Sequence, residues 1–472
     1  VRPDRVAVRM GGETWTYGRL EEAVSEAALS FYDQGLVSGE HVSVEFGAED
    51  GLHFAATLHA LHRADLLPVP ISQKLTEPER VTLRRRAQAD VALTATPEPS
   101  SVTGRRARAI APPEFVRRLD APSAILFTSG TEGAPRAVVL THGNLLWSAL
   151  ASARRLGVRA DDLWLSCVPL HHIGGLSVLT RSAAYGTGVL IQDRFDPDAV
   201  NRAFDEEGVT LVSLVPPMLE RVLDARGGRP FPATLRAALI GGGPAPPALL
   251  RKAADRGLRA LPTYGMTETA SQVTTLSPRE WPDGLDTVGR PLPFVGVEVR
   301  GPDGRALGPG SEGEIVVRGP MVAPAYFDDS ERNAEAYDRR WFRTGDFGVW
   351  DAEGRLRVLD RRGDRMVVGG ENVSPLEVEA ALARHPSVAE VCVVAVEAGS
   401  WGHEVVAVVV RRPGSTVTLD QLREHAGPTL ATFKLPRRLQ IVDALPRNAA
   451  GKLLRGEIRS RLAQEMALEN RA

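Results

Sequence analysis

Apolar positions along this chain keep two alternating rhythms. Between residues 14 and 36, Leu20, Val24, Ala27, Ala28 and Phe31 share one face at helical spacing. Thr16 is placed to cap the start of that helix and Gly35 to stop it. Residues 41–46 alternate as a half-buried strand does, and 49–71 read as helix, turn and strand. Short apolar runs at 124–127 and 137–140 flank a polar loop, and further strands are predicted at 161–170, 186–191, 209–215 and 235–240. This alternation predicts an α/β fold, a mostly parallel sheet covered by helices. Residues 95–113, rich in Pro, Ser and Arg, read as a surface linker. Residues 285–360 change to short β runs broken by Gly, Pro and Asp, which predicts a small β subdomain. Past residue 361 the pattern resets to a helix at 374–385 and strands at 389–397, 404–412 and 437–445, an α+β module. The expected organisation is an N-terminal domain over 1–360, a hinge at 361–365 and a smaller C-terminal domain over 366–472.

The polar loop reads Thr128-Ser129-Gly130-Thr131-Glu132-Gly133. Glycines let a backbone curl its N–H groups around a phosphate, and the hydroxyls add donors. Pro135 stiffens the exit and Arg136 adds a fixed positive charge. A surface turn between two strands has the same composition. The loop is not the P-loop of nucleotide triphosphatases, which needs Gly-Lys followed by Ser or Thr. The chain's Gly451-Lys452 is followed by Leu453.

Other stretches carry candidate chemistry. Tyr264-Gly265-Met266-Thr267-Glu268-Thr269 offers an aromatic face, a hydroxyl for phosphate and a hard carboxylate suited to Mg2+. Asp346, after Gly345, can hold ribose hydroxyls. Arg361 can bond ribose or phosphate, and Gly363 can absorb a large backbone rotation. Gly369-Gly370 presents bare backbone ahead of a helix, and Lys452 closes the stretch Pro446–Lys452. Taken singly, each also reads as a cap, an Asx turn, a charged linker or a solvated lysine.

Composition narrows the partners. The 472 residues carry a net charge of −2, so no basic field argues for nucleic acid. No apolar run is long enough to span a membrane, and the first residues lack the apolar core of a signal peptide. Cys167 and Cys392 lie far apart in apolar runs and read as reduced core residues of a cytoplasmic protein. A homo-oligomer stays open. Only Lys74, Lys252, Lys434 and Lys452 among the 57 basic residues are lysines, which singles out any lysine at a motif.

In their order, the Gly/Thr loop, PLHHIGG, GGGPAP, YGMTE, FRTGD, DRRGD, GGEN and PRNAAGK resemble the adenylate-forming superfamily of acyl-CoA synthetases, from about residue 14 to 460. Within it, the stretches at 169–179, 239–246, 264–278 and 358–379 are most similar to the o-succinylbenzoate–CoA ligase family of menaquinone biosynthesis. The resemblance implies an AMP-forming acid–CoA ligase using ATP, Mg2+, coenzyme A and a small carboxylic acid. It places Thr128, Ser129, Gly130, Thr131, Gly133 and Arg136 at the ATP phosphates, and Gly242, Gly243 and Tyr264 at the adenine. Thr267 meets phosphate, Glu268 holds Mg2+, and Asp346 and Arg361 take the ribose. Lys452 serves adenylation, Gly369 and Gly370 lie toward the thiol's path, and His172, Gly241, Met266 and Ser271 line the acyl pocket. Glu132 stands where the family has Thr, Arg136 where it has Lys, and Ala450 where it has Thr or Ser. A ligase for an aryl or fatty acid would carry much the same motifs. A phosphotransferase would release ADP in place of AMP.

Overall fold

A hairpin begins the chain, β1 (Val6–Met10) pairing antiparallel with β2 (Glu13–Thr16). The coordinates are a computed structural model that describes residues 2–95, 118–128, 135–361, 366–368, 371–397, 403–447 and 453–469. Beyond Ala95, the predicted linker lies outside them. The helix expected from residue 14 begins later, as α1 (Tyr17–Asp33), because Trp15 pairs with Val8 and buries its indole against the sheet. Thr16 still caps it, accepting from Arg19 N, and the five residues of the predicted face are buried.

β3 (His41–Val44), α2 (Gly51–Arg63), β4 (Leu67–Pro70), α3 (Glu77–Arg86) and β5 (Val91–Leu93) build a small parallel sheet in the order β4-β3-β5. β6 (Pro122–Thr128) and β7 (Arg136–Thr141) form an antiparallel hairpin, and α4 (His142–Leu156) follows. Strands and helices then alternate: β8 (Leu163–Ser166), α5 (Ile173–Tyr185), β9 (Gly188–Ile191), α6 (Pro197–Glu206), β10 (Leu211–Leu214), α7 (Pro216–Arg226), β11 (Ala237–Ile240), α8 (Pro247–Ala254) and β12 (Ala260–Met266). With β13 (Ser271–Thr275) and β14 (Arg290–Pro291) they make a sheet ordered β14-β13-β12-β11-β10-β8-β9-β1-β2. It is parallel from β12 to β1 and antiparallel at its ends.

Every residue of β8, β9 and β11 is buried, as expected of parallel strands covered on both faces. Side chains alternate between two cores. Trp164, Val189, Leu211, Leu239 and Leu261 enter one, and Leu165, Leu190, Val212, Leu214 and Ile240 enter the other with Val200, Phe204, Leu219 and Leu250. The strands are shorter than predicted because their flanking residues, such as Asp161 and Pro169, lie in the connecting loops.

The chain divides into two units, 1–297 with 316–343 and 298–315 with 344–472. β15 (Gly296–Arg300) and β16 (Glu312–Arg318) carry it across the division. In the first unit, β17 (Ala325–Tyr326) adds antiparallel to β7, and α9 (Ser330–Ala336) and β18 (Tyr337–Asp338) lead into β19 (Trp341–Trp350). In the second, the far part of β19 pairs with β20 (Leu356–Arg361), and β21 (Met366–Val368) pairs with β22 (Glu371–Val373). α10 (Pro375–Leu382), β23 (Val388–Glu397), β24 (His403–Arg411), α11 (Leu419–Ala426), β25 (Arg438–Ile441) and α12 (Arg455–Glu469) complete it, with the sheet order β23-β24-β25. One face of that sheet packs on α10 and α11, and the other on Ile458 and Leu462 of α12. Cys167 and Cys392 are buried and form no disulfide. Among the described residues no helix is long and apolar enough to cross a membrane.

Candidate active site

Parallel strand order sends several sequence motifs to one edge. The segments after β8, β10, β11 and β12 all leave the carboxyl end of the sheet, where open α/β sheets take their ligands. They carry Pro169–Gly175, Val215-Pro216, Gly241–Pro246 and Thr267–Thr269 respectively. Gly242 sits at φ +77°, a left-handed position that favours glycine.

The turn after β12 is tightly built. Thr269 Oγ1 donates to the Met266 and Ser271 carbonyls and accepts from Met266 N. Ala270 and Ser271 take φ of +48° and +100°, strained backbone for non-glycine residues. Tyr264 and Glu268 are buried. A Cβ on Gly265 would lie 1.7 Å from the Ser271 carbonyl oxygen, so only glycine fits between β12 and β13. Gly265→Ala is expected to cost about 3 kcal/mol or more in urea unfolding, with weakened binding of a non-hydrolysable ATP analogue. Unchanged stability and binding would contradict this packing.

Glu268 is the acid of this turn. Its Oε1 accepts a 2.8 Å hydrogen bond from Tyr326 Oη, and its backbone carbonyl accepts from Ala323 N at 2.8 Å. Burial, and then the Glu268 charge, push the Tyr326 hydroxyl well above the ordinary tyrosine range, so it stays a donor. No group of three His, Cys, Asp or Glu able to hold a metal occurs among the described residues. One carboxylate with an oxygen to spare fits Mg2+, which uses few carboxylates plus substrate phosphates.

The Gly/Thr loop joins the two strands of a hairpin, with Thr128 and Arg136 in register. Ser129, Gly130, Thr131, Glu132 and Gly133 lie outside the described residues.

His172 occupies the N-cap position of α5 without a side-chain capping bond, its ring 4.4 Å from that of His171. Burial pushes both imidazoles below their ordinary range, and His172 and then Lys74 lower His171 further. Both rings are therefore neutral at pH 7, although each keeps some exposure. Farther along the helix is Arg181, which sequence reading missed. It is 2% exposed and has no carboxylate partner among the described residues. One guanidinium nitrogen donates to Ser148 Oγ at 3.4 Å, and that hydroxyl donates to the Ala270 carbonyl at 2.7 Å. The guanidinium lies 5.7 Å from the Trp164 ring centroid, and its Nε has no partner. A sequence signal did exist: Arg181 is the one charged residue in a helix otherwise apolar or small.

In the second unit, Asp346 and Arg361 are register partners across β19 and β20. Asp346 is buried after Gly345 at φ +73°, and its N–H donates to Thr344 Oγ1. Gly363, Gly369, Gly370 and Lys452 lie outside the described residues. The flanks of Lys452 are described. Arg447 and Leu453 bridge antiparallel, Leu454 N donates to the Pro446 carbonyl, and Arg455 pairs with Glu379 through both guanidinium nitrogens.

A doubly covered parallel sheet with motif loops along its carboxyl edge is an arrangement that takes ligands such as nucleotides at that edge. Residues 1–327 match the AMP-binding enzyme family and residues 377–452 its C-terminal domain, and the chain belongs to that family. It is 36% identical over 476 residues to a 2-succinylbenzoate–CoA ligase of Bacillus cereus, covering 98% of this chain and 97% of that one. It is similar to o-succinylbenzoate CoA synthetase (MenE) from Bacillus subtilis in complex with the acyl-adenylate OSB-AMP, with a TM-score of 0.88, 33% identity, and 97% and 96% of the two chains covered. The same enzyme with ATP and magnesium ion gives a TM-score of 0.87 at 33% identity, with 97% of each chain covered. ATP-bound MatB from Rhodopseudomonas palustris gives 0.87 at 27% identity, covering 98% and 96%.

Proposed function

We propose that this chain is an ATP-dependent acid–CoA ligase that activates o-succinylbenzoate for menaquinone biosynthesis. Full-length similarity to o-succinylbenzoate–CoA ligases supports the reaction class. The observation that carries the choice of acid is Arg181, a buried guanidinium without a carboxylate, one hydroxyl away from the turn that holds Met266 and Ser271. o-Succinylbenzoate has two carboxylates. One reacts, and the other needs a fixed cation in an apolar wall.

Both reacting partners are anions, so the site must supply positive charge and positioned donors where the acid's carboxylate meets the α-phosphorus. Thr128 and Arg136 flank the loop that takes the phosphates, and Thr267 adds a hydroxyl. Tyr264 and the backbone of Gly242-Gly243 form the adenine site, and Asp346 with Arg361 the ribose site. Glu268 is the residue to hold Mg2+, which screens phosphate charge when bound. The carboxylate oxygen bonds the α-phosphorus, pyrophosphate leaves, and acyl-AMP forms. The CoA thiol then attacks the acyl carbon, giving thioester and AMP. A phosphotransferase would leave ADP. Chromatography of the nucleotide products is expected to show AMP and pyrophosphate in step with thioester, and ADP would refute the reading.

The domain roles follow the same reading: 1–360 binds ATP and acid, 361–365 is the hinge and 366–472 alternates between the half-reactions. Proline fixes φ where glycine leaves it free. Gly363→Pro is expected to impair one half-reaction more than the other in separate assays. Equal losses would count against a pivot there.

A further inference from the structure

Tyr326 stands where the phosphate-loop sheet meets the acidic turn. Its backbone pairs with Val138 of β7, two residues beyond Arg136 at the mouth of the loop. Asn333 locks that backbone from the other side, accepting from Tyr326 N at 2.7 Å and donating to its carbonyl at 2.9 Å. The hydroxyl then spans to Glu268 Oε1 at 2.8 Å, in a region where both side chains are buried. A second tie parallels it, since Ala323 N bonds the Glu268 carbonyl and the Ala323 carbonyl accepts from Tyr337 Oη at 2.7 Å. Nothing in the sequence connects these groups, which lie 58 residues apart.

We propose that Tyr326 is a positioning residue that presets Glu268 for the nucleotide-bound cation. The inference rests on Glu268 being the metal carboxylate. A buried carboxylate that accepts one fixed O–H bond keeps a single orientation and directs its remaining lone pairs elsewhere, and such partners of metal ligands tune affinity. Because Tyr326 is carried on the edge strand of the loop's own sheet, it sets the distance between the metal carboxylate and the phosphates.

Mn2+ binding to the enzyme saturated with α,β-methylene-ATP, read by electron paramagnetic resonance, tests this without turnover. Tyr326→Phe is expected to weaken Mn2+ about 10-fold or more. It should raise the Mg2+ half-saturation of acyl-AMP formation in parallel, and leave thioester formation from supplied acyl-AMP unchanged. Tyr17→Phe removes a part-buried hydroxyl whose bonds end on the Ser182 and Thr187 carbonyls. It should leave Mn2+ affinity near wild type, and an equal shift there would reduce Tyr326 to general packing. If Tyr326 instead competes with the cation for Oε1, Tyr326→Phe would bind Mn2+ more tightly, and that result, like no change, overturns the proposal. Glu268→Gln separates the premise from the inference. Unaltered Mn2+ affinity in that variant refutes the metal role itself, whereas weakened binding there beside an unchanged Tyr326→Phe refutes only the positioning role.

Discussion

Lys452→Ala is expected to slow acyl-AMP formation roughly 10²–10³-fold, the size of losing one transition-state donor. Supplied with preformed acyl-AMP and CoA, the same variant should make thioester at close to the wild-type rate. The first step brings a carboxylate onto a phosphate, and its transition state needs a cation that touches both. Of the chain's four lysines, Lys252 pairs with Asp224 at 2.7 Å and Lys434 with Glu377 at 2.7 Å, and Lys452 is the one that closes a sequence motif. On either side of Lys452, Arg447 and Leu453 form a bridge, and beyond it Arg455 pairs with Glu379, which also accepts from Val393 N. In thioester formation the CoA thiol loses its proton and attacks the same carbon, and AMP leaves. Pyrophosphate release and thioester absorbance, measured separately, check the split. A variant equally impaired in both would make Lys452 a structural element.

Arg181→Met is expected to raise KM for o-succinylbenzoate about 30- to 100-fold, the equivalent of one charge-assisted hydrogen bond at about 2–3 kcal/mol. For 4-oxo-4-phenylbutanoate, which lacks the ring carboxylate, KM should barely change. The same substitution is expected to raise stability by about 1 kcal/mol or more, because it replaces a buried guanidinium that has no carboxylate with an apolar chain of similar length. Burial already presses that guanidinium toward its neutral form. Function and stability thus move in opposite directions, as they do where a site holds strain for its ligand. If Arg181 were structural, Arg181→Met would lower stability and affect both acids alike.

Much of this was legible before any coordinates. Helical spacing placed the buried face of α1, and unbroken apolar runs located the central strands, because parallel strands covered on both faces need no alternation. The hairpin β1–β2 was illegible, since Trp15 fits a helical face as well as a strand and only its pairing with Val8 decides. The motif loops could be read as phosphate, adenine and ribose candidates from residue type. That the loops after β8, β10, β11 and β12 leave one edge depends on strand order, which local pattern does not contain. Asp346 and Arg361 came as separate motifs and are cross-strand partners. Arg181 was visible as a charge inside an apolar helix, but its lack of an acid is a tertiary fact. Tyr326 gave no local signal, because its partner comes from a distant turn.

The central claim is the acid that this ligase activates. The most direct measurement is initial-rate thioester formation, dependent on ATP and CoA, across o-succinylbenzoate, benzoate, 4-oxo-4-phenylbutanoate and medium-chain fatty acids. The expected result is a kcat/KM for o-succinylbenzoate at least about 10-fold above every other acid, with one AMP formed per thioester. A benzoate or a fatty acid turning over 10-fold better than o-succinylbenzoate would contradict it.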